Sequence, residues 1–145
     1  VTERICSVPA VAVLHPGHAL ATRRSLRVEE LSDERFITMP PNTLLGSQVA
    51  RILDEAGVAP RSPIQVSQTL LCCNFVAHGF GIAITDAMIP EIFGPSVRMV
   101  PIEPRVDLDF GLLYPRGAEP TKETLRLVEI IKETADTFAD NLNIG

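Results

Sequence analysis

FITMPPNTLLGSQVARILDEAG, residues Phe36–Gly57, is the stretch whose reading decides the fold. Phe36, Ile37, Thr38 and Met39 form a short run of strand formers. Pro40 and Pro41 end it, because neither has an N–H to give to a ladder. From Leu45 the apolar period changes. Leu45, Val49, Ile52, Leu53 and Ala56 fall on one face of a helix. Asn42, Thr43 and Ser47 are candidate caps, and Gly57 stands where a helix ends in the left-handed conformation. The loop therefore joins the carboxyl end of a strand to the amino end of a helix. Unpaired N–H groups and the positive end of the helix meet there, and in open α/β sheets small anions and ligands bind at such places. The plainer reading of Asn42 or Thr43 is a helix cap, and these residues alone favour it over ligand binding.

The totals fit one soluble domain: 145 residues, 46% apolar, 21% charged, no Trp and one Tyr. A net charge of −5 with no basic tract argues against the chain itself gripping a phosphate backbone. Arg23, Arg24 and Arg27 are followed at once by Glu29, Glu30, Asp33 and Glu34, a solvated and self-neutralising surface. Cys6, Cys72 and Cys73 are odd in number. Cys72 and Cys73 lie in an apolar helical pattern and read as core packing in a reducing compartment. No spacing matches a zinc site, so no metal and no cofactor is expected. No apolar run approaches the roughly 20 residues that span a membrane. Nothing near the start resembles a secretory signal, and Val1 reads as other than the natural start.

Taken in order, PAVAVL (Pro9–Leu14) is a buried-strand pattern and His15–His18 a turn. Arg27–Leu31 is a short polar segment, matched by one helical turn, before the strand at Phe36. Ile64–Val66 is the next strand. Ser67 opens a second helix that stops at Gly79. Gly81–Thr85 is a third buried strand. Asp86 caps a short helix over Ala87–Phe93. Val97–Ile102 is extended and Val106–Tyr114 is a strand. Pro120–Leu142 is a long amphipathic helix with Pro120 in its first turn and Leu125, Val128, Ile131, Ala135, Phe138 and Leu142 as its stripe. Strands alternating with helices predict an α/β fold: a mostly parallel sheet covered by helices on both faces. A boundary is expected within Pro95–Pro104. One strand and one helix after it cannot make a domain without another sheet to pack on.

The chemical constellations are weak. Gly79-Phe80-Gly81 precedes a strand, whereas a dinucleotide fingerprint follows one. Cys73 and His78, five apart on one helix, point to different sides. His15 and His18 flank a Pro-Gly turn with no third ligand near in sequence and read as turn residues. Asp86 after Thr85 reads as a cap. What remains is a pocket of loops at strand ends. Asn42, Thr43, Ser67, Gln68 and Thr85 are its neutral hydrogen-bonding groups, suited to a small polar or carboxylated ligand.

Several stretches together resemble the effector-binding domain of LysR-type transcriptional regulators. VAVLHPGHALA (Val11–Ala21) is similar to that family's strand and HPLA signature, with Ala19 where the family carries Pro. LRVEEL (Leu26–Leu31) and RFIT (Arg35–Thr38) resemble its next segment. ILDEAGVAP (Ile52–Pro60) and FVAHGFGIAI (Phe75–Ile84) resemble its helix end and its glycine-rich turn. VPIEP (Val100–Pro104) with the last helix resembles the return crossing. The resemblance covers nearly all of the chain. It implies a periplasmic-binding-protein-like (type 2) fold. Residues 9–100 would be the second subdomain, and 101–145 a returning strand and helix of the first. The rest of that first subdomain and an N-terminal winged helix-turn-helix are absent from this sequence.

It also implies a non-enzymatic, cytoplasmic sensor that binds a small effector in an inter-subdomain cleft. DNA would be reached only through the absent helix-turn-helix, in a homodimer or homotetramer. The implied effector contacts are Asn42, Thr43, Leu44, Leu45, Ser67, Gln68 and Thr85. Ile84-Thr85-Asp86 resembles the branch that senses basic amino acids and opines, which leans toward an amino-acid-like ligand or another small carboxylate. Two rivals share the fold. One is a solute-binding protein of a transport system, which the Cys usage disfavours. The other is a prephenate-dehydratase-like enzyme, for which Thr43 lacks an acid close in sequence.

Overall fold

A computed structural model describes residues 2–117 and 119–142. The strands are β1 (Thr2–Leu14), β2 (Leu26–Arg27), β3 (Arg35–Thr38), β4 (Arg61–Gln65), β5 (Ala83–Asp86), β6 (Arg98–Glu103) and β7 (Asp107–Leu113). The helices are α1 (Leu44–Glu55), α2 (Thr69–Ala77), α3 (Met88–Glu91) and α4 (Lys122–Asn141). The chain forms two compact units, one of residues 9–106 and one of residues 2–8 with 107–142.

In the larger unit β1 lies between β5 and β6, and β6 pairs on its far side with β2. Val11 sits opposite Thr85 on one neighbour and Pro101 on the other. β3 and β4 pair in parallel, with Ile37 opposite Ile64 and Thr38 opposite Gln65. A parallel bridge between Phe36 and Ile82 links β3 to the approach to β5. Its bonds are Ile37 N–H to the Ile82 carbonyl, 2.8 Å, and Ile82 N–H to the Arg35 carbonyl, 2.9 Å.

The α/β class stands, with one correction to the sheet. It is mixed rather than mostly parallel, because β1 runs antiparallel to both β5 and β6. An apolar run such as Val11–Leu14 records burial on both faces and says nothing of direction. Its residues are fully buried, as are Leu26, Phe36 and Ile37. Each large apolar side chain so placed contributes roughly 1.5–3 kcal/mol from its removal from water.

Several boundaries move for local reasons. β4 starts at Arg61 and carries Pro63, which an edge strand tolerates. α2 starts at Thr69, and its cap position is Gln68, which makes no side-chain cap bond, so Ser67 does not open that helix. α4 starts at Lys122 because the Thr121 hydroxyl accepts from Thr124 N–H, leaving Pro120 before the helix. β6 runs to Glu103, so residues 101–106 count with the larger unit, beyond the boundary read after Val100. Asp86 does cap α3: its carboxylate accepts from Met88 and Ile89 N–H at 3.0 and 3.3 Å. α1 ends at Glu55, and Gly57 just past its cap residue Ala56 has φ +66°, as its position implies.

In the smaller unit β7 pairs with β1. Tyr114 O–H donates to the Glu3 carboxylate at 3.0 Å, and Lys132 of α4 pairs with the same carboxylate. Both contacts hold the Glu3 carboxyl below its ordinary value of 4.5, Lys132 contributing most.

Candidate functional site

The site is built from two strand-to-helix turns. β3 and β4 are parallel, and their last registered pair is Thr38 with Gln65. Val66 N–H continues the ladder to the Thr38 carbonyl at 2.9 Å. Each strand then feeds a helix from the same edge: β3 through 39–43 into α1, β4 through 66–68 into α2. The Thr69 hydroxyl lies 3.8 Å from Met39 Sδ, so the two helix starts stand side by side.

The first turn is tightly built. The Thr43 hydroxyl donates to the Pro40 carbonyl at 2.7 Å and accepts from Gly46 N–H at 3.1 Å. Thr43 N–H donates to the same Pro40 carbonyl at 3.0 Å. Thr43 is therefore the cap of α1, the plainer of the two readings of its sequence. Gly46 has a role of its own. A Cβ there would lie 2.1 Å from the Pro40 carbonyl oxygen and 2.8 Å from that of Met39. Only glycine lets the loop wrap this closely over the helix start.

What is left open is backbone. Leu44 and Leu45 N–H, and Thr69 and Leu70 N–H, have no hydrogen-bond partner among the described residues. They are first-turn donors that no intrahelical carbonyl reaches. Residues 38–45 and 65–70 contain no charged side chain. The two turns thus contribute two neighbouring positive helix ends, which favour an anion or the acceptor face of a polar group.

Of the residues singled out in the sequence, Asn42, Ser67 and Gln68 are exposed at these turns, and Thr43 and Leu45 are half-buried. Leu44 points outward, 78% exposed. Thr85 is the exception. It is 1% exposed in the middle of the sheet edge, with its hydroxyl donating to the Asp86 carbonyl, so it offers no surface to a ligand. Its alternation in a strand buried on every position hides that outcome from the sequence. Met39, Gly46 and Thr69 were missed. A glycine in the first turn of a helix was the available signal, since glycine costs about 1 kcal/mol there unless a close approach requires it.

The other constellations are structural. His15 Nδ1 accepts from Gly17 N–H and His18 Nδ1 from Leu20 N–H, at 3.0 and 3.2 Å, as turn residues do. Glu34, distant in sequence, meets His18 Nε2 at 3.2 Å. No group of three potential ligands is placed to hold a metal among the described residues. Cys72 and Cys73 are buried, and burial pushes their thiols up to about 11 and about 12. They are core side chains, as their apolar setting implies. No helix is long and apolar enough to cross a membrane among the described residues.

With the site's geometry in place, comparison with known proteins decides the family. The model of the LysR substrate binding domain matches residues 1–136. The chain belongs to the LysR substrate-binding domain family. Among curated LysR-type relatives, the chain is 30% identical over 122 residues to the regulatory protein NocR of Agrobacterium tumefaciens, covering 83% of this chain and 41% of NocR. It is 28% identical over 119 residues to the octopine catabolism/uptake operon regulatory protein OccR of Rhizobium meliloti, covering 82% of this chain and 39% of OccR. The chain thus spans about two fifths of the length of these regulators. Its fold is that of the effector binding domain of QuiR, solved in complex with shikimate: TM-score 0.76 at 17% identity, over 94% of this chain and 66% of that one.

Proposed function

We propose that this chain is the effector-sensing part of a LysR-type transcriptional regulator, and that it binds a small carboxylate, an amino-acid-like one by preference, at the paired starts of α1 and α2. The observation that carries this reading is the four unpaired N–H groups of Leu44, Leu45, Thr69 and Leu70, at two neighbouring helix starts whose turns hold no charged residue. Exposed Asn42, Ser67 and Gln68 add neutral donors and acceptors beside them. The family supports the reading, and so do the shikimate bound by QuiR, itself a carboxylate, and the octopine operon regulated by OccR.

These groups bind rather than transform a ligand, so the protein works as a sensor, not an enzyme. The sensor acts by shifting populations. A ligand that binds one arrangement of the regulator better than another moves the equilibrium by that difference, tenfold for each 1.4 kcal/mol or so. In this reading the regulator is a cytoplasmic homodimer or homotetramer that meets DNA through a helix-turn-helix outside this sequence. The test is a thermal-shift screen of amino acids and small carboxylates, each beside its methyl ester. A hit among the acids that its ester abolishes supports the reading. Equal shifts from acid and ester overturn it, because a neutral ester forfeits the charge that the helix starts attract.

A further inference from the structure

A hollow of about 350 Å³ lies at the start of β3, whereas the turn into α1 leaves from its end. It is lined by His15 and His18 of the turn after β1, by Glu34 and Arg35, and by the 79–81 turn before β5. None of these residues belongs to the helix-start turns, and Arg35 precedes Thr38 by roughly 10 Å of strand. Gly81 sets the close approach of its turn to β3. A Cβ there would lie 2.3 Å from the Arg35 carbonyl oxygen, so only glycine fits.

The hydrogen bonds decide which groups of the hollow are taken and which are open. His15 and His18 hold their turn through Nδ1, which accepts from Gly17 and Leu20 N–H. A neutral imidazole whose Nδ1 accepts carries its proton on Nε2. The His18 Nε2–H goes to the Glu34 carboxylate at 3.2 Å, so the acid that lines the hollow is already engaged. The His15 Nε2–H, the Gly81 N–H and the Arg35 guanidinium have no partner among the described residues. Arg23, Arg51 and Arg61, by contrast, each meet a carboxylate at 2.8–3.1 Å. Beside these donors stands an aromatic ring in water. Phe80 is 49% exposed and touches Phe75 edge-to-face, with ring centroids 5.5 Å apart.

We propose that this hollow binds a phosphate monoester carried on a planar ring, with the phosphate on Arg35, His15 and Gly81 and the ring against Phe80. A guanidinium fork matches phosphate oxygens, and the terminal oxygens of a phosphate supply acceptors for the imidazole and backbone N–H groups as well. A planar ring adds stacking on the exposed phenyl group. The proposal stands apart from the helix-start site, since it uses other residues at the other end of β3. Amide NMR on the full chain tests it, with phenyl phosphate as the probe beside inorganic phosphate and phenol. Phenyl phosphate should move the amide signals of Phe80, Gly81 and Gly17, whose N–H rests on His15, with a dissociation constant on the order of millimolar. Inorganic phosphate should move the same signals more weakly, and phenol should leave them in place. Arg35→Gln, at an exposed position, should weaken both phosphates about tenfold, the worth of one charge-assisted hydrogen bond. Phe80→Ala should weaken phenyl phosphate about fivefold and leave inorganic phosphate unchanged. Glu34→Gln, which keeps an acceptor for His18 and removes the nearby negative charge, should tighten both. Each variant should keep the amide spectrum outside the hollow. Equal affinity for phenyl phosphate and phenol, unchanged affinity in Arg35→Gln, or shifts confined to Leu44 and Thr69 would each overturn the proposal.

Discussion

Two amphipathic helices in this chain meet different fates. On α1, in the larger unit, Val49, Ile52 and Leu53 are 5% exposed or less. On α4, in the smaller unit, Val128 is the buried position, while Leu125, Leu127 and Ile130 are 45–57% exposed. Both helices carry an apolar stripe, and both are capped by a threonine whose hydroxyl accepts a first-turn N–H. The difference lies in what surrounds them. The larger unit brings six strands and three helices to share its interior, whereas the smaller has two strand segments and one helix. A pattern and a cap specify a helix locally; burial needs partners that the pattern cannot supply.

The comparison predicts a graded series of effects. Phe36→Ala, in the fully buried part of the larger unit, should cost about 3–5 kcal/mol, read by urea unfolding. Leu127→Ala on α4 should stay within about 1 kcal/mol, because its side chain is already in water. If the two cost the same, the contrast between the units fails. Gly46→Ala comes next, at about 1–3 kcal/mol, because its Cβ must push the Pro40 carbonyl out of the turn. It should also abolish carboxylate binding.

Much of this was legible in the sequence where the determinants are local. The candidate caps Asn42, Thr43 and Ser47, of which Thr43 is the one used, and Gly57 marked the two ends of α1, and Asp86 marked the start of α3, because caps act over two or three residues. The antiparallel partners of β1 were not legible, since strand direction is set by pairings far apart along the chain. The proposed site was half legible. Its position at the strand ends followed from the order of elements. Its proposed donors are backbone N–H groups, which every residue but proline carries, so the polar side chains drew notice instead. Thr85 was chosen for its hydroxyl and is buried; Met39 and Thr69, which join the two helix starts, had no signal of their own.

Smaller effects sharpen the same contrast. Thr43→Ala should cost about 1 kcal/mol through the lost cap, and Thr43→Ser should cost less. Because its hydroxyl proton goes to the Pro40 carbonyl, Thr43→Ser should leave ligand affinity unchanged in a calorimetric titration. In the smaller unit, the Glu3 carboxyl is held below 4.5 by Lys132 and Tyr114. Its contribution is complete above that value and is lost as pH falls through the lower value of the folded state. Thermal midpoints taken from pH 7 downward should therefore fall more for the native chain than for Glu3→Gln. Parallel curves would show that the Glu3 contacts add nothing.

The most direct test of the account is a map of where the ligand sits. A carboxylate found by the thermal-shift screen is titrated into the nitrogen-15-labelled protein, and its amide signals are followed. The account predicts that the Leu44, Leu45, Thr69 and Leu70 signals move together, with one dissociation constant, and that those of the α4 residues stay still. A carboxylate that binds while leaving these four amides unmoved would contradict it.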